Sequence, residues 1–159
     1  MKYTATVKWA KSANEIFTDG KYSRVHDWQF DGGMKFKASA SPHVVPLPMS
    51  DASFIDPEEA FIASISSCHM LFFLSFCAKQ KYAVVSYEDE AEGIMGDGED
   101  GKKQMLSVTL HPIIKFEDGK SPSAEILSRL HELSHENCFI ANSVKTKINI
   151  SNEDTKLTK

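Results

Sequence analysis

Cysteine is scarce in this chain: three thiols, Cys68, Cys77 and Cys138, in 159 residues. They are too few and too widely spaced for a secreted disulfide framework. There is no surplus of positive charge either. Eighteen Lys and Arg stand against 22 Asp and Glu, a net charge of −4 with no long basic run, which argues against a non-specific nucleic-acid binder. Arginine is rare, with only Arg24 and Arg129. An apolar leader is also missing: MKYTATVKWAKSANE contains no signal-peptide core, so the expectation is a cytoplasmic protein. In that compartment a cysteine pair is expected to be reactive rather than structural. What the chain does have is 42% hydrophobic and 10% aromatic residues, which excludes a wholly disordered chain. A single domain of this length buries roughly 70% of its unfolded surface without metal or disulfide staples.

Periodicity gives an α+β order, with helices packed on antiparallel sheet. Tyr3, Ala5, Val7 and Trp9 alternate with polar residues, the pattern of a half-buried strand. Residues 22–30 and 34–40 flank Asp31-Gly32-Gly33, a hairpin signal because glycine supplies positive φ. Pro42, Pro46 and Pro48 mark a loop. A helix then opens at Asp56, with Pro57 in its first position and Glu59 completing a capping box. It runs to about Lys79 with Phe61, Ile62, Ile65, Leu71, Phe72, Phe73, Leu74 and Phe76 spread round it. A helix apolar on nearly all sides is expected to be buried all round, in a core, a membrane or a partner subunit. Ser64, Ser66, Ser67, His69 and Ser75 within the run favour a buried central helix over a membrane span, with part of it packed on a second copy. Residues 83–95 and 104–116 read as two strands joined by a glycine-rich turn. Ser121 and Pro122 open a second helix carrying Ile126, Leu127, Leu130 and Leu133 on one face. Residues 143–150 form a last strand, so 1–150 is expected as one domain and 151–159 as a polar tail.

The cysteines are the first candidates for chemistry. Cys68 and Cys77 share a helix nine residues apart, about 13–14 Å of rise and half a turn out of phase. A disulfide needs Cα atoms within about 7 Å, which leaves Cys138 as the only possible intrachain partner for either. Inert packing is the competing role for all three. A second candidate, His131-Glu132-Leu133-Ser134-His135, matches the HExxH zinc pattern, but only Glu136 and the tail residues Glu153 and Asp154 follow it as acidic ligands. Zinc hydrolysis is therefore disfavoured, and the leading reading, built on the thiols, needs no metal and no organic cofactor. Arg24 is suited to hold a thiolate because it stays charged and forks. Glu58 in a first helical turn also suits the helix dipole.

Two motifs carry a family resemblance. Asp56-Pro57-Glu58-Glu59-Ala60-Phe61 followed by Ser66-Ser67-Cys68, and His135-Glu136-Asn137-Cys138, resemble the OsmC/Ohr family of thiol peroxidases. The hairpin Phe30-Asp31-Gly32-Gly33 and Asn142-Ser143 support it, and the element order fits over residues 1–150. The chain departs from the family pattern at Phe139, where many relatives carry proline, and in having Cys77.

The resemblance implies an OsmC-like fold in an intertwined homodimer with two sites at the interface. It implies Cys68 as the peroxidatic thiolate, Cys138 as the resolving thiol, Arg24 polarising Cys68 and Glu58 orienting Arg24. The substrate would be an organic hydroperoxide, favoured by an apolar pocket floored by Phe72 and Phe73. The reductant would be a dithiol, a lipoyl protein being the usual suspect in the family. Glu58 lies ten residues before Cys68, about 15 Å along a continuous helix, so it would act through Arg24 or serve the partner subunit. The alternative is an OsmC-like stress or binding protein that holds an apolar ligand in the interface pocket without turnover.

Overall fold

The computed structural model describes residues 1–151; beyond Ser151, the expected polar tail lies outside the described residues. The chain divides into two compact units, residues 1–60 and residue 61 onward.

In the first unit, β1 (Ala5–Lys8), β2 (His26–Phe30) and β3 (Lys35–Ala38) form an antiparallel sheet in that order. The β2–β3 turn is the one the glycines announced: Gly33 has φ 87°, and Phe30 exchanges backbone hydrogen bonds with Gly33 and Met34. Val7 pairs with Trp28 and Trp28 with Phe36, so one face collects apolar side chains. Trp28, Phe30 and Phe36 pack there with ring centroids 5.8–6.3 Å apart. The expected half-burial of β1 is not seen. All four of its residues are exposed.

The first helix, α1 (Pro57–Lys79), has the expected bounds, and the capping box is reciprocal. The Glu59 amide donates to Asp56 Oδ1 at 2.8 Å, and the Asp56 amide donates to Glu59 Oε2 at 3.1 Å. Burial all round is not observed. Ile65, His69, Phe73 and Cys77 form one buried stripe, while Leu71 on the opposite side is 61% exposed. By length and composition α1 could cross a bilayer. Its stripe, packed on sheet and on a second helix, is that of a core helix.

The two strands expected after α1 are each broken in two. β4 (Val84–Asp89) pairs antiparallel with β7 (Pro112–Phe116), and β5 (Glu92–Asp97) pairs antiparallel with β6 (Lys103–Leu110). The break has a physical cause. Pro112 has no amide hydrogen for a ladder. The Asp89 carboxylate takes the His111 amide at 2.7 Å and the Ser66 hydroxyl from α1. The second helix, α2 (Ala124–Asn137), is capped by Ser123 rather than Ser121; Ser123 Oγ accepts the Ile126 amide at 3.3 Å. Pro122 lies buried before the cap. The last strand, β8 (Lys147–Ile150), runs parallel to β6, unlike the other pairs, because α2 supplies the long connection a parallel pair needs.

Two cores result. Phe73, Cys77, Ile114, Leu127 and Leu130 form one, and Ile65, Val108 and Leu110 form the other. Each large side chain buried here contributes about 1.5–3 kcal/mol. The molecule is thus α+β as expected, with a long central helix, a second helix and mainly antiparallel sheet.

Candidate active site

The structure brings Cys68 and Cys138 together. Cys68 stands half-exposed on α1, one position off the buried stripe. Cys138 caps the C-terminal end of α2 and is buried. All three cysteines are free thiols. The Cys138 thiol is pushed up to about 11, first by burial and then by the neighbouring Cys68 side chain. It therefore waits as a protonated thiol beside a more accessible one.

The turn that carries Cys138 is braced by its own hydrogen bonds. Cys138 Sγ accepts the Ala141 amide at 3.3 Å, and its carbonyl accepts the Asn142 amide at 3.0 Å. Asn142 Nδ2 donates back to the Glu136 carbonyl at 2.9 Å, and Ser143 Oγ donates to Phe139 O at 2.7 Å. Asn142 and Ser143 thus fix the backbone that presents the second thiol.

Arg24 and Glu58 are differently engaged. The Arg24 guanidinium donates to the carbonyls of Gly20, at 3.0 Å, and Tyr22, and lies 3.5 Å over the Tyr22 ring. Glu58 is half-buried in the first turn of α1, and among the described residues it forms no ion pair with Arg24. Arg24 lines an almost wholly apolar pocket of about 530 Å³ in the first unit, with Trp9, Phe17, Tyr22, His26 and Val45. Phe17 stacks on Tyr22 at 4.6 Å, and Trp9 meets both rings. Phe73, expected on a pocket floor, is instead fully buried against His131, with ring centroids 4.5 Å apart.

The HExxH segment has other uses. His131 turns inward, its Nδ1 3.0 Å from His69 Nε2. Glu132 turns outward to Arg129 at 2.9 Å. Among the described residues no three potential metal ligands converge. Burial holds His69 down at about 3, with His131 and His135 adding to the effect, and holds His131 down at about 4, so both rings are neutral at ordinary pH. Among the described residues, His69 Nδ1 and His131 Nε2 find no hydrogen-bond partner, and both are buried. This pair escaped the sequence reading, although counting by fours through Ile65, His69, Phe73 and Cys77 would have found half of it.

The chain matches the family model of OsmC-like proteins over residues 50–153. Among solved structures it is similar to an OsmC-like protein of unknown function from Vibrio cholerae, at 51% identity and a TM-score of 0.93, covering 95% of this chain and 98% of that one. It is similar in fold to an organic hydroperoxide resistance protein from Elizabethkingia anophelis, at 19% identity and a TM-score of 0.68 over 94% of this chain and 92% of that one. The corresponding protein of Bacillus subtilis gives 18% identity and a TM-score of 0.60 over 95% and 98%. No curated protein matches the chain. The motifs around both cysteines fall inside the matched span, and the likeness extends over nearly the whole length: the chain belongs to the OsmC-like family.

Proposed function

We propose that the protein is a cysteine-based peroxidase that reduces organic hydroperoxides to alcohols. The observation that carries this is the nearness of a half-exposed Cys68 to a buried, protonated Cys138 from a distant part of the sequence, close enough for the first thiol to push up the second. The Cys68 thiolate attacks the outer oxygen of ROOH. The O–O bond breaks, an S–O bond forms, the alkoxide leaves and takes up a proton as ROH, and Cys68 becomes a sulfenic acid. Cys138 sulfur then displaces hydroxide, which takes the thiol proton, so one disulfide and one water result. An external dithiol, of the lipoyl kind, restores both thiols through a mixed disulfide.

In this scheme Arg24 holds Cys68 as thiolate and Glu58 orients Arg24, within one chain or across a homodimer. Dimerisation is supported by the exposed apolar residues on α1 and on β1, whose Leu71 and Val7 are more than 60% exposed. The chemistry belongs in a reducing compartment such as the cytoplasm. A second reading, a ligand-holding protein without turnover, is favoured by the apolar pocket of the first unit.

One equivalent of cumene hydroperoxide added to fully reduced protein separates the two. Peptide mass mapping should find a Cys68–Cys138 disulfide within seconds, and Cys68→Ser should abolish it. Thiols that remain unchanged would overturn the peroxidase reading and put the ligand-holding one ahead.

A further inference from the structure

The turn after α2 carries two apolar side chains, Phe139 and Ile140, directly after Cys138. Ile140, partly buried, packs against the cluster of Ile65, Val108 and Leu110. Phe139 meets Phe72 edge-on, with ring centroids 5.1 Å apart and planes at 90°. Phe72 follows Cys68 by four residues, so the ring contact lies one helical turn from the thiol on the same face of α1. Phe139 is 67% exposed. A phenylalanine that exposed gains little from leaving water, so its ring contact with Phe72 is what it offers the turn. The hydrogen bonds of Asn142 and Ser143 stiffen the turn but run within it and to the end of α2, not to α1.

Resting on the peroxidase reading above, we infer that Phe139 is a positioning residue: its ring on Phe72 keeps Cys138 docked against Cys68 so that the disulfide closes before the sulfenic acid meets a second hydroperoxide. The step it serves is the condensation of Cys68–SOH with the Cys138 thiol, in which an S–S bond replaces an S–O bond and water leaves. Without the aromatic pair Cys138 is docked for a smaller fraction of the time. The sulfenic acid then lives longer, and a second ROOH oxidises it to sulfinic acid with release of another ROH.

The test uses the full chain with cumene hydroperoxide, quenching at short times into a cyclic 1,3-diketone that traps sulfenic acid and an alkylating agent that traps thiols. In Phe139→Ala, sulfenic acid should form at the wild-type rate, while disulfide closure slows about two- to tenfold, the range expected for losing an edge-to-face pair. Sulfinic acid at Cys68 should rise accordingly, and Phe139→Tyr, which keeps the ring, should restore closure. Phe72→Ala, with circular dichroism confirming its fold, should reproduce the slow closure. Unaltered closure in Phe139→Ala overturns the inference. So does slowed sulfenic acid formation with normal closure, which would make the ring a substrate contact. A wild-type protein that forms no sulfenic acid overturns the peroxidase reading, and the inference falls with it.

Discussion

Cys68 and Cys77 lie on one helix, nine residues apart, in different chemical surroundings. Cys77 falls on the buried stripe, packed with Phe73, Ile114, Leu127 and Leu130, and burial alone pushes its thiol up to about 11. Cys68 falls one position off that stripe, is half-exposed and has a second thiol beside it. Nine residues at about 100° each leave the two thiols half a turn out of phase. That phase, rather than the residue type, separates a thiol that fills space from one placed to react.

The largest way to break the contrast is to remove what surrounds Cys77. Phe73→Ala should cost about 3–5 kcal/mol in urea unfolding, because a fully buried ring stacked on His131 leaves a cavity. If Phe73→Ala is nearly neutral, this end of α1 is not the core described. A graded effect is expected from acid. His69 and His131 are held below the ordinary value of 6.5, so the unfolded chain binds protons first as pH falls. Their contribution is complete above about pH 6.5 and is lost as pH drops toward 4 and 3. The urea midpoint should therefore fall between pH 7 and pH 4, and more weakly in His69→Gln; an unchanged slope in that variant would deny the pair its part. The smallest effect is on Cys77 itself. Cys77→Ala should cost about 1 kcal/mol and leave hydroperoxide-dependent thiol loss intact, and in the native protein iodoacetamide should label Cys77 last. Early labelling of Cys77 would erase the distinction.

What could be read from the sequence was local. The start of α1 was legible because Asp56, Pro57 and Glu59 encode it within four residues, and the Asp31-Gly33 turn because Gly33 needs positive φ. The break between β4 and β5 was not, because Asp89 looks like any strand residue until Ser66 and His111 reach it. Pro112 was the available signal. The shift of the α2 cap from Ser121 to Ser123 turned on which of two serines flanking Pro122 meets an amide. The two cysteine motifs were legible as sequence. Their pairing was expected through the family resemblance and not from periodicity, since it depends on how α2 delivers Cys138 to α1. Nor could the sequence place Phe139 on Phe72 or His131 on His69, because each pair joins residues more than sixty positions apart.

The parallel pairing of β8 with β6 bears on the second thiol in another way. The segment that carries Cys138 leaves α2 at one end and enters β8 at the other, and Thr146 Oγ1 ties it to the Met105 carbonyl of β6 at 2.9 Å. It is a span anchored at both ends rather than a free arm. A short anchored span has little configurational entropy left to lose when its sulfur is bonded. The last strand of the fold thus acts as a tether, and what is fastened by it includes the reach of Cys138.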